Sequence, residues 1–260
     1  MTATKELRGR TALITGVSRK NGIGFAIARR LASQGADLLL HSFASYDSQF
    51  PSLGEIPPSE ELMKDLSGYG TRIEMVEADF ADPESPRMVM ATGVETLSHI
   101  DILVVNHTHD TMRVLDELTA EEIDRHLSIN VRAVLLLIQE FARQHDGRPG
   151  GRIILLTSGQ HLGPMPHMAY VASKGALHQL TASLSDHLIG RNITTNTVNP
   201  GPTKTYLPGD ELDKAVLERM PQGRWGEPDD AARLIGWLAS DEAGWITGQV
   251  INSEGGFRRG

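Results

Sequence analysis

Tyr170-Val171-Ala172-Ser173-Lys174 sets a phenol and an ammonium four residues apart. On a helix that spacing projects both groups from one face, where they can act on a single bound molecule. A tyrosine hydroxyl titrates near ~10, so it exchanges protons poorly at neutral pH unless a neighbouring cation draws that value toward working pH. Lys174 is placed to be that cation. Upstream, Arg152-Ile153-Ile154-Leu155-Leu156-Thr157-Ser158 reads as a buried parallel strand with a polar end. Such a strand delivers the Ser158 hydroxyl to the sheet edge where open α/β folds hold their ligands. Three groups suited to proton exchange with one molecule result, although a Tyr-x3-Lys pair by itself also fits a solvated helix face.

The elements that must position these groups begin at Arg10–Thr15, a short apolar strand running into Gly16-Val17-Ser18-Arg19-Lys20-Asn21-Gly22-Ile23-Gly24. A helix carried by Ile23, Ile27 and Leu31 and closed by Gly35 follows. Strand, glycine loop and helix together let backbone approach a pyrophosphate, with N–H donors and a positive dipole end supplied by the helix terminus. A tight βα turn with no ligand is the alternative reading. Further strands are expected over 36–41, 71–77, 101–105 and 194–198, and long helices over 121–144 and 169–188. Residues 43–58, with Pro51 and the Pro57-Pro58 pair, read as an inserted surface loop, and the polar stretch within 202–223 as a lid. Ile123, Leu127, Val131, Leu135 and Ile138 keep helical spacing across the first long helix.

Composition narrows the classes. The chain has 260 residues, 40% of them hydrophobic, and no linker-like break, which predicts one domain over 1–260. A net charge of −8 without long blocks argues against nucleic acid or an anionic membrane as partner. The lack of cysteine excludes disulfides, thiol catalysis and cysteine-based metal sites. No apolar run is long enough for a membrane span and Met1–Arg10 has no signal-peptide core, so a soluble, cytoplasmic protein is expected. No Gly-x-Ser-x-Gly elbow supports acyl transfer. The ten histidines show no His-Glu-x-x-His spacing, so no metal is expected, and His107 and His109 are read as pocket-shaping or surface residues. Trp225, Trp237 and Trp245 are read as packing residues.

With the glycine loop and the Tyr-x3-Lys pair in place, the chain resembles the short-chain dehydrogenase/reductase family over nearly its whole length. Thr15-Gly16 and Gly22-Ile23-Gly24 match the ends of that family's loop, with five residues between Gly16 and Gly22 where three are usual. The lengthened loop is similar to that of enoyl reductases, whereas the Tyr170/Lys174 spacing resembles carbonyl–alcohol enzymes. The resemblance implies a doubly wound α/β Rossmann-type fold with about seven parallel strands and helices on both faces. It further implies that Asp79-Phe80 contacts adenine, although Asp79 also suits a helix cap. Asn106 is the one survivor of an Asn-Asn-Ala-Gly segment, with His107 and Thr108 in place of small residues. Asn130 corresponds to a helix-bending asparagine that holds a relay water for the lysine. Asn199-Pro200-Gly201-Pro202-Thr203-Lys204-Thr205 lines the nicotinamide side, and Gly248–Gly256 resembles the last strand and its turn. Thr157 lies 13 residues before Tyr170 and Ser158 lies 12 before it, while the family usually has 13 between serine and tyrosine. Thr157 is therefore an alternative to Ser158; Ser158 is chosen as the second of a small polar pair, with Gly163-Pro164-Met165-Pro166 able to absorb a deletion.

The function so implied is an NAD(P)(H)-dependent oxidoreductase, 3-oxoacyl thioester reductase-like, in which Ser158 binds the carbonyl oxygen, Tyr170 donates the proton, and Lys174 lowers the tyrosine pKa and holds the nicotinamide ribose. The alternatives are a non-catalytic dinucleotide-binding sensor and a sugar-nucleotide epimerase or dehydratase. NADP(H) is favoured over NAD(H), because Ser42 stands where a carboxylate would bind the ribose hydroxyls, and Arg19 and Lys20 flank the adenosine pocket. Asp47 is the acid that could reverse that preference. The expected cofactor contacts are Gly16, Ser18, Arg19, Asn21, Gly22, Ile23, Ser42, Asp79, Phe80, Asn106, Tyr170, Lys174, Pro200, Gly201, Thr203 and Thr205, and a homotetramer is the expected assembly.

Overall fold

The computed structural model describes residues 6–51, 54–205 and 209–258. Seven parallel strands form one sheet in the order β3-β2-β1-β4-β5-β6-β7. They are β1 (Thr11–Thr15), β2 (Asp37–Ser42), β3 (Ile73–Glu77), β4 (Ile102–Val105), β5 (Gly151–Leu156), β6 (Ile193–Asn199) and β7 (Val250–Asn252). Helices α1 (Ile23–Ser33), α2 (Ala44–Asp47), α3 (Ser59–Ser67), α4 (Ser85–Leu97), α5 (Ala120–Leu127), α6 (Ala133–Gln144), α7 (Met168–Ile189), α8 (Asp210–Leu217) and α9 (Pro228–Leu238) fill the connections.

Because strand side chains alternate, one apolar strand feeds two cores. Ala12, Ile14, Leu38 and Leu40 pack with Ile27 and Leu31 of α1 and Ile235 of α9. Leu13, Leu39, Leu103 and Leu155 face the other way, against Val89 of α4, Leu137 of α6 and Leu177 of α7. The doubly wound expectation therefore holds, with helices on both faces. The order reverses between β1 and β4, and ligands of open α/β sheets bind at the carboxyl edge of such a switch point.

Two expectations change and one gains detail. The helix foreseen over 121–144 is α5 and α6 joined by a π-turn at Ser128–Arg132, which bends it at Asn130. The described residues of 43–58 begin with a helical turn, α2, remain mostly exposed or half-buried, and reach back to the glycine loop where the Gly54 carbonyl accepts from Arg19 Nε at 3.2 Å. Trp225 is buried, but Trp245 is 97% exposed and packs against nothing, so it is no core residue. No helix among the described residues is long and apolar enough to cross a membrane.

Candidate active site

Backbone contacts fix the segment 157–174, which carries the candidate catalytic residues. Lys174 is buried and its Nζ donates to the Leu156 carbonyl at 3.0 Å, tying α7 to the end of β5. Thr157 Oγ1 donates to the Lys174 carbonyl at 2.9 Å, so that hydroxyl is spent on the same joint. Ser158, one residue on, stands at a cavity of about 450 Å³ that Tyr170 also lines, and its Oγ donates to Met165 Sδ at 3.5 Å. Of the two candidate hydroxyls, Ser158 is the one not spent on the backbone, and it draws the Tyr170 phenol downward. Pro164, Met165, Pro202, Arg219 and Phe257 line the rest of the cavity. Met165, Arg219 and Phe257 were not foreseen, since nothing in their local pattern relates positions so far apart.

The electrostatics differ from the expectation in one respect. Burial pushes the Tyr170 phenol up to about 12, with the Ser158 hydroxyl acting in the opposite direction. The ammonium is 5.9 Å from the centre of the Tyr170 ring and is itself pulled down to about 8 by burial. Desolvation is the largest influence on both groups.

Asn130 is buried in the π-turn, and its side chain is fully used. Its Oδ1 accepts from the His109 backbone N–H at 2.7 Å, and its Nδ2 donates to the His109 carbonyl at 2.9 Å and to Ser173 Oγ at 3.0 Å. It clamps residues 108–109 to α7 through Ser173, the neighbour of Lys174.

At the other end of the edge, Gly16 has φ +73°, and a Cβ there would meet His107 Cα at 2.9 Å; one at Gly24 would meet the Gly16 carbonyl at 2.4 Å. Only glycine fits both places. Gly22 opens α1 with no side-chain cap, no acid occupies the first turn, and Ile23 starts the helix. An uncapped N-terminus behind a loop of this tightness fits a pyrophosphate, so these residues suit a dinucleotide. Asn106 braces the loop through Nδ2 to the carbonyls of Thr15 and Gly16 at 3.0 and 2.9 Å. Asn21 Nδ2 crosses to the Thr205 carbonyl at 2.9 Å, joining the loop to the 200–205 segment. There Gly201 has φ +66° and Thr203 Oγ1 donates to its carbonyl at 3.2 Å; Pro200 also lines the cavity. The expected lid includes α8, while its residues 206–208 lie outside the described residues.

Several expected cofactor contacts are otherwise engaged. Phe80 is buried with its ring stacked on His41 at 4.1 Å. Asp79 caps a local turn, accepting from the Ala81 N–H at 2.8 Å. Ser18 and Ser42 are buried, with Ser42 ending β2 as foreseen. Arg19 is also buried: Nη1 pairs with Asp47 Oδ1 at 2.6 Å, and the guanidinium donates to the carbonyls of Asp47, Phe50 and Gly54. Lys20 pairs with Glu61 at 2.5 Å and Asp65 at 2.7 Å. Neither cation stands free for a phosphate.

His107 and His109 are buried. His107 Nδ1 contacts Thr15 Oγ1 at 2.8 Å and Nε2 the Ile129 carbonyl at 3.1 Å; His41 contacts the Gly16 N–H at 3.3 Å and the Ala78 carbonyl at 3.0 Å. Burial holds both well below the usual imidazole range, at about 3 for His107 and about 4 for His41.

Relatives agree with this geometry. A family model described as enoyl-(acyl carrier protein) reductase matches residues 16–258. The uncharacterized oxidoreductase YjdA of Bacillus subtilis is 42% identical over 252 residues, covering 96% of this chain and 97% of its own. Versicolorin reductase 1 of Aspergillus parasiticus is 32% identical over 276 residues, covering 100% of both. A short-chain dehydrogenase of Burkholderia cenocepacia solved with NADP matches with a TM-score of 0.85 at 34% identity, over 96% of this chain and 98% of that one. A family-model match over residues 16–258, relatives at 32–42% identity over nearly the whole chain and a solved short-chain dehydrogenase at a TM-score of 0.85 place the chain in the short-chain dehydrogenase/reductase family of oxidoreductases.

Proposed function

We propose that the chain transfers hydride between a nicotinamide and a carbonyl or secondary alcohol, with NADP(H) as cofactor and 3-oxoacyl thioester-like ketones as the substrate class. The observation that carries this reading is the Ser158–Tyr170 hydroxyl pair facing one cavity, with Lys174 one helical turn along. When bound, the nicotinamide supplies or accepts the hydride. The protein's part is then positional and electrostatic. Ser158 holds the carbonyl oxygen. Tyr170, whose phenol stays protonated at neutral pH, donates the proton in the reduction direction. Lys174 keeps donors beyond the one given to Leu156 and can hold the nicotinamide ribose with them. The Asn130 clamp keeps the wall at residues 108–109 in register with α7.

NADP(H) is supported by the serine, in place of a carboxylate, at the end of β2, and by the NADP held by the Burkholderia relative. Binding of a 2′-phosphate at Arg19 requires that it share or displace Asp47. A homotetramer is the proposed assembly, supported by the exposed apolar side chains of Ile123, Leu127 and Leu135 on and after α5. The test is oxidation of NADPH and NADH with a panel of ketones: cofactor binding with no turnover on any carbonyl would favour the sensor reading instead.

A further inference from the structure

Beyond the proposed cleft, one group of side chains has unused coordinating capacity. His109, on the segment after β4, is 5% exposed, and neither of its ring nitrogens has a hydrogen-bond partner among the described residues. Two buried imidazole nitrogens without partners are unfavourable unless something else satisfies them. His126 is 2% exposed, and its ring stands edge-on to that of His109 with centroids 4.6 Å apart. Glu122, one turn earlier on α5, completes a trio whose ligand atoms all lie within 4.8 Å of one another.

The contacts around the trio orient it inward. His126 Nδ1 lies 2.8 Å from the Glu122 carbonyl, an arrangement that uses the Nδ1 proton and leaves the Nε2 lone pair for a ligand. Thr111 Oγ1 donates to Glu122 Oε2 at 2.7 Å, fixing one carboxylate oxygen; Arg113 stands 3.6 Å from the other. Asp110, outside the trio, accepts from the Met112 N–H at 2.8 Å and lies 3.9 Å from His126 Nε2.

We propose that His109, Glu122 and His126 form a three-residue binding site for a divalent transition ion of the zinc class. Two imidazoles and carboxylate oxygen suit zinc better than magnesium or calcium, which take oxygen ligands alone. Zinc at about 2.0–2.2 Å from each donor requires the donors to close by about an ångström, which side-chain rotations supply. Glu122 is half-buried and gives the ion its path in. A bound ion would tie His109, whose backbone Asn130 grips, to α5. The proposal does not depend on which carbonyl the enzyme reduces.

The experiment uses the tag-free chain, stripped with chelator and then given Co²⁺ or Zn²⁺. Tetrahedral Co²⁺ absorption in the visible and a Zn²⁺-dependent rise in Tm on the order of 5 °C or more, with none from Mg²⁺, are expected. Glu122→Gln, which keeps the Thr111 contact, and His109→Phe should each weaken the zinc response at least ~100-fold, while Tyr170→Phe leaves it intact. If His109→Phe does not fold, Glu122→Gln decides alone. Absence of both signals in the wild type, or a zinc response unchanged in Glu122→Gln, overturns the site.

Discussion

The Ser158–Tyr170 end of the sheet edge and the Arg19–Asp47 end differ in the contacts that build them. At the first, side chains are anchored to main chain: Lys174 to the Leu156 carbonyl, Thr157 to the Lys174 carbonyl, Ser173 to the Tyr170 carbonyl. At the second, main-chain anchors from Arg19 to the carbonyls of Asp47, Phe50 and Gly54 are joined by side-chain ion pairs, Arg19 to Asp47 and Lys20 to Glu61, over 28 and 41 residues. Main-chain anchors hold a hydroxyl pair in place whether or not a ligand is present, which suits preorganised proton transfer. Side-chain pairs can exchange partners, so that end can answer to the charge of what binds.

If the first end is preorganised chemistry, Tyr170→Phe breaks it with the largest effect. It removes the only phenol at the cavity while keeping the ring, so kcat should fall by about 10²–10⁴-fold with cofactor affinity nearly unchanged. Single-turnover rates and fluorescence titration separate the two quantities. Near-normal turnover would remove Tyr170 from the reaction.

Next in size is the contrast between adjacent hydroxyls. Ser158→Ala should lower kcat about 10²-fold or more, because it removes a donor that faces the reacting oxygen. Thr157→Val should leave kcat within a few-fold but lower stability by about 1 kcal/mol, the worth of its bond to the Lys174 carbonyl. Paired kinetics and thermal melts check both; the reverse pattern would make Thr157 the working hydroxyl.

Between the two ends, His41 and His107 titrate in the folded chain at about 4 and about 3 against an ordinary 6.5. Below pH 6.5 the unfolded chain takes up protons that the folded chain refuses. Their contribution to stability is thus fully present above 6.5 and is lost as pH falls toward 4 and 3. Urea midpoints should drop between pH 7 and 4, by the equivalent of a few kcal/mol, and His107→Gln should make the fall shallower. A pH-independent midpoint would mean that these rings are not held neutral by burial.

The same division explains what was legible in the sequence. Tyr170 and Lys174 are one helical turn apart, so their shared face follows from a fixed period, and the seven-stranded order follows from alternating strands and helices. The π-turn at Asn130 leaves no local periodic trace, because Val131 and Leu135 continue the apolar spacing through it. The stacking of Phe80 on His41 and its contact with His107 show only when those rings arrive from two other strands. Glu122 and His126 carry a readable four-residue spacing, but His109, which gives it meaning, comes from a separate segment. Trp245 misled for the opposite reason: aromatic type predicts burial on average, whereas position decides it.

The smallest expected effect tests whether the Arg19 end exchanges partners. The Arg19–Asp47 pair is well shielded, with side chains 8% and 18% exposed, so removing one member leaves the other short of a counter-charge. In Asp47→Asn the guanidinium keeps its carbonyl acceptors at Phe50 and Gly54 but loses its anion, and a 2′-phosphate becomes the best replacement. The ratio of kcat/KM for NADPH over NADH should rise about tenfold, or about 1.4 kcal/mol. Arg19→Ala should lower the same ratio by a similar factor, since it removes the fork that a phosphate dianion would use. Lys20→Ala should move it less, because Lys20 is more exposed and already has two acids, Glu61 and Asp65. Measuring both cofactors in all three variants decides the matter. If Asp47→Asn and Arg19→Ala shift the ratio in the same direction, the pair is a structural strut that holds residues 43–58 against the glycine loop, and phosphate selection belongs elsewhere.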